Sequence, residues 1–294
     1  MAAGKMHPDS NAFRHELNRP DEWASGVIVC SPHSGRDFPD WFLAETALDI
    51  VTLRSSEDAF VDRLIRPALD GGAVTLSARL PRSIVDLNRA ATELDPGTVV
   101  CGGIRPATPR ARAGLGVIPR VVAGARPIRD RPLAMAEARR RIDRYWWPYH
   151  EALRALIDEA RARFGHAIII DMHSMPHEAV GNMIPPVPEV VIGDRHGVSC
   201  GPALRERICG LFRHAGFRLR LNAPFSGAYV ATAYGRPGQG VHVVQVEIDR
   251  ALYLDETMIE PSAGYDALAA RLGQVLSAAA RLSPEAGCPR VAAE

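Results

Sequence analysis

The sequence predicts a single α/β domain: a mostly parallel mixed sheet with helices on both faces. Two observations lead there. Short continuous apolar runs, GVIVC (26–30), HAIIID (166–171) and VHVVQVEI (241–248), break off abruptly in polar turns, as strands buried on both faces do. Stretches with helical spacing lie between them, and strands that alternate with helices favour a parallel sheet covered on both sides. A third observation sets the scale. Hydrophobic residues make up 47% of 294 residues, enough for one large core. No internal repeat or low-complexity linker calls for a second domain.

The elements follow in chain order. Residues 1–24 read as a tail, and 25–285 as the domain. The run GVIVC leads into the turn SPHSG. Residues 57–70 have helical spacing, with Phe60, Val61, Leu64 and Ile65 on one face and Gly71–Gly72 closing it. A strand is expected over 73–80. Residues 95–131 are rich in Gly, Pro and Arg, and so long an excursion is expected to be functional. The clearest helix covers 133–164, with Pro148 kinking or splitting it and Gly165 ending it. Further strands are expected at 166–171, 189–192, 218–221 and 241–248, and helices at 200–216 and 263–282.

Composition excludes several roles. Lys+Arg number 35 and Asp+Glu 34, so no basic excess favours nucleic acid or an anionic membrane surface. The arginine clusters of 105–144 read as solvated surface. No run reaches the roughly 18 apolar residues of a membrane span, and the first twenty residues have no apolar signal-peptide core. Five scattered cysteines, Cys30, Cys101, Cys200, Cys209 and Cys288, carry no CxxC pair or catalytic signature. Together these features predict a cytoplasmic protein.

Ligands of open α/β sheets bind beyond the C-terminal ends of strands. That rule selects SPHSG, DMHS, GDRHG and QVEI. Two of these turns place a histidine just past a buried strand. Two imidazoles and a carboxylate suit zinc or another divalent metal with a position left open, so His33 and His173 are candidate ligands. The carboxylate is open between Glu57, Asp58 and Asp37, with helix N-terminal charge as the plain reading of the first two. Glu247 closes its strand, as a general base or as an ion-pair partner of Arg250 or another arginine. Asn88 and Arg89, with Arg82 upstream, make a carboxylate clamp or a polar turn. Asp194 and Arg195 make an ion pair or a substrate contact. His177 and His196 sit in polar loops and read as solvated.

The ordered set SPHSGRDFP, SSEDAFVDRLI, ARLPRSIVDLNRA, TELDP, IIIDMHSMP, VIGDRHG, NAPFSGAYVATAYG and VQVEI, from about residue 26 to 255, resembles the N-formylglutamate amidohydrolase family. That family is similar to the zinc carboxypeptidase and aspartoacylase type of phosphorylase/hydrolase-like fold. The resemblance implies that His33 and His173 bind the metal and that Glu247 is the catalytic glutamate. It also implies that Asn88 and Arg89 hold the substrate carboxylate. Carboxypeptidase-like chains place a glutamate three residues after the first histidine, where this chain has Arg36. The third ligand is therefore expected from Asp58 first and Glu57 second. Phe60 stands where relatives often carry a histidine. The implied reaction is hydrolysis of a small acidic N-acyl amino acid such as N-formyl-L-glutamate. Glu247 would move the proton, Arg82 would steady the oxyanion, and a second arginine, with Arg195 a substrate contact, would take a side-chain carboxylate. The rival readings are a metallo-deacylase or peptidase on another N-acyl amino acid, and a non-catalytic carboxylate-binding homologue.

Overall fold

In the computed structural model of the chain, residues 15–100 and 108–284 are described. They form a mixed seven-stranded sheet. In chain order its strands are β1 (His15–Asn18), β2 (Val27–Ser31), β3 (Val74–Ala78), β4 (Ala167–Met175), β5 (Val190–Gly193), β6 (Leu219–Leu221) and β7 (Val241–Asp249). Their spatial order is β1-β3-β2-β4-β7-β5-β6. The central four, β3, β2, β4 and β7, run parallel. The strand β1 is antiparallel to β3, and β5 is antiparallel to β7. Among the described residues no helix is long and apolar enough to cross a membrane.

Strict alternation divides the strands between two cores. On one face Ile28, Cys30, Ala167, Ile169, Val241 and Val243 pack beneath Tyr149, Leu153 and Ile157. On the other, Val27, Val29, Ile168, Ile170, Met172, Val244, Val246 and Ile248 meet the helices Pro202–His214 and Tyr265–Ala279. Along β4 and β7 the second face stays apolar from Ile168 to Met172 and from Val244 to Ile248. The first does not: after Ile169 come Asp171 and His173, and after Val243 come Gln245 and Glu247. Residues two apart share a face. The β4–β7 register sets Gln245 beside Asp171 and Glu247 beside His173. One sheet face thus changes from hydrocarbon to charge at the same level on adjacent strands.

Three expectations change. Within the stretch 1–24 read as a tail, His15–Asn18 is a strand paired with β3, and residues 1–14 lie outside the described residues. The helix expected over 57–70 is two short turns, Val61–Leu64 and Pro67–Asp70. It is broken where Phe60 takes φ 63° and where Pro67 cannot donate. Glu57 and Asp58 precede these turns, so they are not helix N-terminal charges. Pro148 does not split the long helix. The run passes from Met135–Arg141 through a π-helical turn, Ile142–Trp146, into Trp147–Phe164, with Pro148 directly after the π turn. Gly165 ends it at φ 76°.

The arginines of 105–144 are not all solvated. Arg141 is buried at 2% exposure and bonds Glu45 and Glu137 at 2.6 and 2.8 Å. The cysteines are structural where described. Cys30, Cys200 and Cys209 are buried and free, and burial pushes the Cys200 thiol up to about 12. Cys101 and Cys288 lie outside the described residues.

The turn after β2 is wedged against the chain leaving β3. A Cβ on Gly35 would lie 2.2 Å from the carbonyl oxygen of Leu80, and backbone cannot yield as a side chain can. Gly35→Ala is expected to destabilise the fold by about 1–3 kcal/mol, read as a lowered midpoint in chemical denaturation.

Candidate active site

The polar ends of β2, β4 and β7 open into a cavity of about 520 Å³ lined by His33, Asp58, Arg82, Asn88, Arg89, His173, Gln245, Glu247 and Arg250. It sits at the C-terminal ends of the parallel strands, as the fold rule requires.

His33, Asp58 and His173 are buried, and one donor atom of each lies within 4.8 Å of the others. The Oδ2 of Asp58 is 2.8 Å from His173 Nδ1 and 3.5 Å from His33 Nδ1. The far nitrogen of each ring is held by a carboxylate. His33 Nε2 lies 2.7 Å from Asp86 Oδ1, and His173 Nε2 lies 3.1 Å from Asp171 Oδ2. A carboxylate on the outer nitrogen fixes the tautomer that turns the Nδ1 lone pair inward, the arrangement typical of metal-binding histidines. His33 Nδ1 is buried and has no hydrogen-bond partner. A buried nitrogen of this kind is costly unless something coordinates it. The two imidazoles and one carboxylate therefore fit a zinc-type cation with a position left open.

The charges around the cluster are matched. Burial opposes ionisation of Asp58, but the adjoining His173 and His33 rings hold its carboxyl well below the usual range. Its other oxygen, Oδ1, accepts from Arg250 Nη2 at 3.2 Å. Arg250 is itself buried, and it also donates to Ser174 Oγ and to the carbonyl of Ser55. Arg82 donates to Asp86 Oδ2 at 2.7 Å. Glu247 does not pair with Arg250. It accepts from Gln245 Nε2 at 2.8 Å, and burial pushes it up to about 7.

Other expected site residues are placed as follows. Glu57 is turned to Arg54 at 2.7 Å and does not line the cavity. Asp37 is engaged by Arg79 at 2.7 Å. Arg36, in the position where a ligand glutamate was expected, pairs with Asp62 at 2.8 Å. Arg195 does not line the cavity. Because β5 runs against β7, the GDRHG turn points away from the site edge, and the Arg195 stem packs behind Gly227. Asn88 is committed at both amide ends. Its Nδ2 donates to Asp171 Oδ2 at 3.2 Å and faces His173 Nε2 at 3.0 Å. Its Oδ1 accepts from Val230 N at 2.8 Å. His177 caps Asp249 at 2.8 Å and is half exposed, and His196 is exposed.

The loop carrying Asn88 and Arg89 is held from behind. Trp146 Nε1, displayed by the π-helical turn, donates to Arg89 O, and His150 Nε2 faces Leu87 O, both at 2.8 Å. The 95–131 excursion closes over the cavity through Arg110, Leu115 and Val121–Ala125. Residues 101–107 of it lie outside the described residues.

Sequence reasoning missed Asp86 and Asp171, and it set Arg250 against Glu247 where the structure pairs it with Asp58. A signal existed for Asp171: it precedes His173 by two on a strand, so the two share a face.

The class so defined is an α/β protein with a buried His–Asp–His cluster at the C-terminal edge of its sheet. The family model described as N-formylglutamate amidohydrolase matches residues 25–254, and the chain belongs to that family. N-formylglutamate deformylase of Pseudomonas putida is 29% identical over 238 residues, covering 79% of this chain and 82% of that protein. The Pseudomonas aeruginosa deformylase is 31% identical over 240 residues, covering 78% and 82%. The crystal structure of N-formylglutamate amidohydrolase from Ralstonia eutropha JMP134 matches with a TM-score of 0.84 at 33% identity, covering 91% of this chain and 97% of that one.

Loss of an outer carboxylate should loosen the inner ring. Asp171→Asn is expected to weaken zinc binding by about 10- to 100-fold, measured by competition with a chromogenic chelator.

Proposed function

We propose that this protein is an amidohydrolase that uses zinc, or another divalent metal, to hydrolyse N-formyl-L-glutamate to glutamate and formate. One observation carries the reading: the unpartnered His33 Nδ1 converges with Asp58 and His173 directly beside a glutamate poised near neutrality. The family and the names of its relatives supply the substrate.

His33, Asp58 and His173 would hold the metal. When bound, it supplies Lewis acidity that makes a water a good nucleophile near neutral pH and polarises the formyl carbonyl. The chain's own groups do the rest. Glu247 takes a proton from the attacking water as the new C–O bond forms. It then gives that proton to the nitrogen as the C–N bond breaks, so formate and a free amine leave. A carboxyl group pushed up to about 7 suits both duties, because the best acid–base catalyst has a pKa near the working pH. Arg82, fixed by Asp86, supplies positive charge for the developing oxyanion. Arg89 is the residue for the α-carboxylate. It is 6% exposed and, among the described residues, its side-chain hydrogen bonds go to the carbonyls of Leu115 and Asn88. Asn88, engaged at both ends, positions His173 instead of gripping substrate. Arg250 holds Asp58 by its second oxygen, leaving the first for the metal.

The reading of a non-catalytic carboxylate binder rested on Arg36 in place of a ligand glutamate. Asp58 supplies the missing carboxylate from another turn, which favours the catalytic reading.

Chelation is expected to abolish hydrolysis of N-formyl-L-glutamate, and zinc at about one ion per chain to restore it. Full activity in stably metal-free protein would overturn the proposal. Running N-acetyl- and N-succinyl-glutamate alongside tests the acyl group, with formyl expected to be fastest. Glu247→Gln should keep its metal and lose on the order of a thousandfold in kcat. Turnover close to wild type in that variant would remove Glu247 from the mechanism.

A further inference from the structure

Four arginines line the cavity: Arg82, Arg89, Arg110 and Arg250. Two are already neutralised, Arg82 by Asp86 at 2.7 Å and Arg250 by Asp58 at 3.2 Å. The other two are not. Among the described residues, no carboxylate lies within 4 Å of a guanidinium nitrogen of Arg89 or Arg110.

These two lie close together, and the excursion places them so. Leu115 N donates to Arg110 O at 2.9 Å, and Leu115 O accepts from Arg89 Nε at 3.1 Å. One residue thus ties the backbone of Arg110 to the guanidinium of Arg89. The turn bearing Arg110, Pro109–Arg112, is capped by Thr108, whose hydroxyl also donates to Glu93 at 2.7 Å. The two cations feel each other: burial lowers the Arg89 pKa most, Asp86 and Glu93 raise it, and Arg82 and Arg110 lower it further. Two like charges held near each other without a carboxylate in contact leave room for a ligand to supply the anions. They also differ in depth. Arg89 is buried, whereas Arg110 is exposed at the cavity mouth. A single carboxylate would engage one of them well, while a substrate with two carboxylates on a short stem can engage both.

We propose that Arg110 is a specificity-determining residue that receives the side-chain carboxylate of the substrate while Arg89 receives the α-carboxylate. This rests on the amidohydrolase reading for its reaction, though not for its binding geometry.

The test compares zinc-loaded wild type, R110Q and R110K on N-formyl-L-glutamate and its neutral isostere N-formyl-L-glutamine. The same three proteins are titrated with L-glutamate and L-glutamine by calorimetry. Wild type is expected to favour the glutamate form in both readouts. The ratio of kcat/KM between the two substrates should fall about 10- to 100-fold in R110Q, the range expected for a lost charge-assisted hydrogen bond. R110K should retain part of the ratio, because it keeps the charge but not the planar fork. A ratio unchanged in R110Q, or a wild type that does not discriminate, overturns the assignment while leaving the amidohydrolase reading in place. If neither substrate is cleaved but R110Q alone loses its preference for glutamate over glutamine in binding, Arg110 is confirmed and the hydrolase reading falls.

Discussion

The site depends on how one buried carboxylate is satisfied. Asp171 is completely shielded from solvent, and a carboxylate there is tolerable only if donors surround it. Three segments answer. His173 presents Nε2 from the same strand, Asn88 presents its amide from the loop after β3, and Cys30 presents its thiol from β2 at 3.6 Å. Meeting that need leaves little freedom. With Nε2 of His173 drawn inward to Asp171, its Nδ1 must face Asp58. With the Asn88 amide nitrogen drawn to Asp171, its oxygen must find Val230 N, which fixes the start of the helix Tyr229–Tyr234.

The same device recurs on the other side. Asp86 takes Nε2 of His33 and is itself held by Arg82 and by Asn88 N at 2.9 Å. Each inner ligand therefore has an outer partner, and each outer partner has one of its own. Such fully connected polar networks are rigid, because moving one member strands another in a low-dielectric interior. Rigidity has a chemical use here. Donors that keep their aim need no reorganisation when charge develops, and preorganisation of this kind supplies much of the stabilisation in polar active sites. Gln245 and Glu247 complete the cluster from the neighbouring strand, with the Gln245 oxygen engaged by Ala228 N at 2.8 Å. The nitrogen of Gln245 is therefore the end left to hold Glu247.

Much of this could be read in the sequence, for a definite reason. The central strands are continuous apolar runs because both faces are covered, and their polar ends mark the site edge. That marking identified His33, His173 and Glu247, which lie on the three central strands or just beyond them. It misled for GDRHG, because a run of four residues does not reveal its direction, and β5 is reversed. The strand β1, HELN, escaped notice because an edge strand needs little hydrophobicity. Only one of its sides pairs, and its residues are mostly half-buried. The helical reading of 57–70 failed at Phe60, whose ring is surrounded by Arg36, Arg54 and Arg63 at 5.1 to 5.8 Å. Tertiary contacts hold a left-handed backbone there that local propensity does not favour. Asp86 and Asp171 stayed hidden, and Arg250 was set against the wrong carboxylate, because their importance lies in pairing across distant segments, and a single sequence does not display such pairing.

The division of labour between sheet and loop follows from these constraints. The groups proposed to hold a metal and move protons must keep their positions closely, and they sit on β4, β7 and the turns after β2 and before the helix Val61–Leu64. Groups that recognise the rest of a substrate need only present charge at the right depth, and a loop can do that if its base is anchored. The excursion is anchored several times over. Asp86 N donates to Val117 O and Val117 N to Glu93 O, each at 2.8 Å. Arg120 is held by Asp95 at 2.9 Å, and Arg126 reaches across to Thr52 at 3.0 Å. The first of these anchors is Asp86 itself, the carboxylate that aims His33. The loop that lines the cavity and the network that aims the histidines of the cluster are therefore joined at one residue. Changes in the length or sequence of this loop can retune recognition without disturbing chemistry only while the Asp86–Val117 link survives.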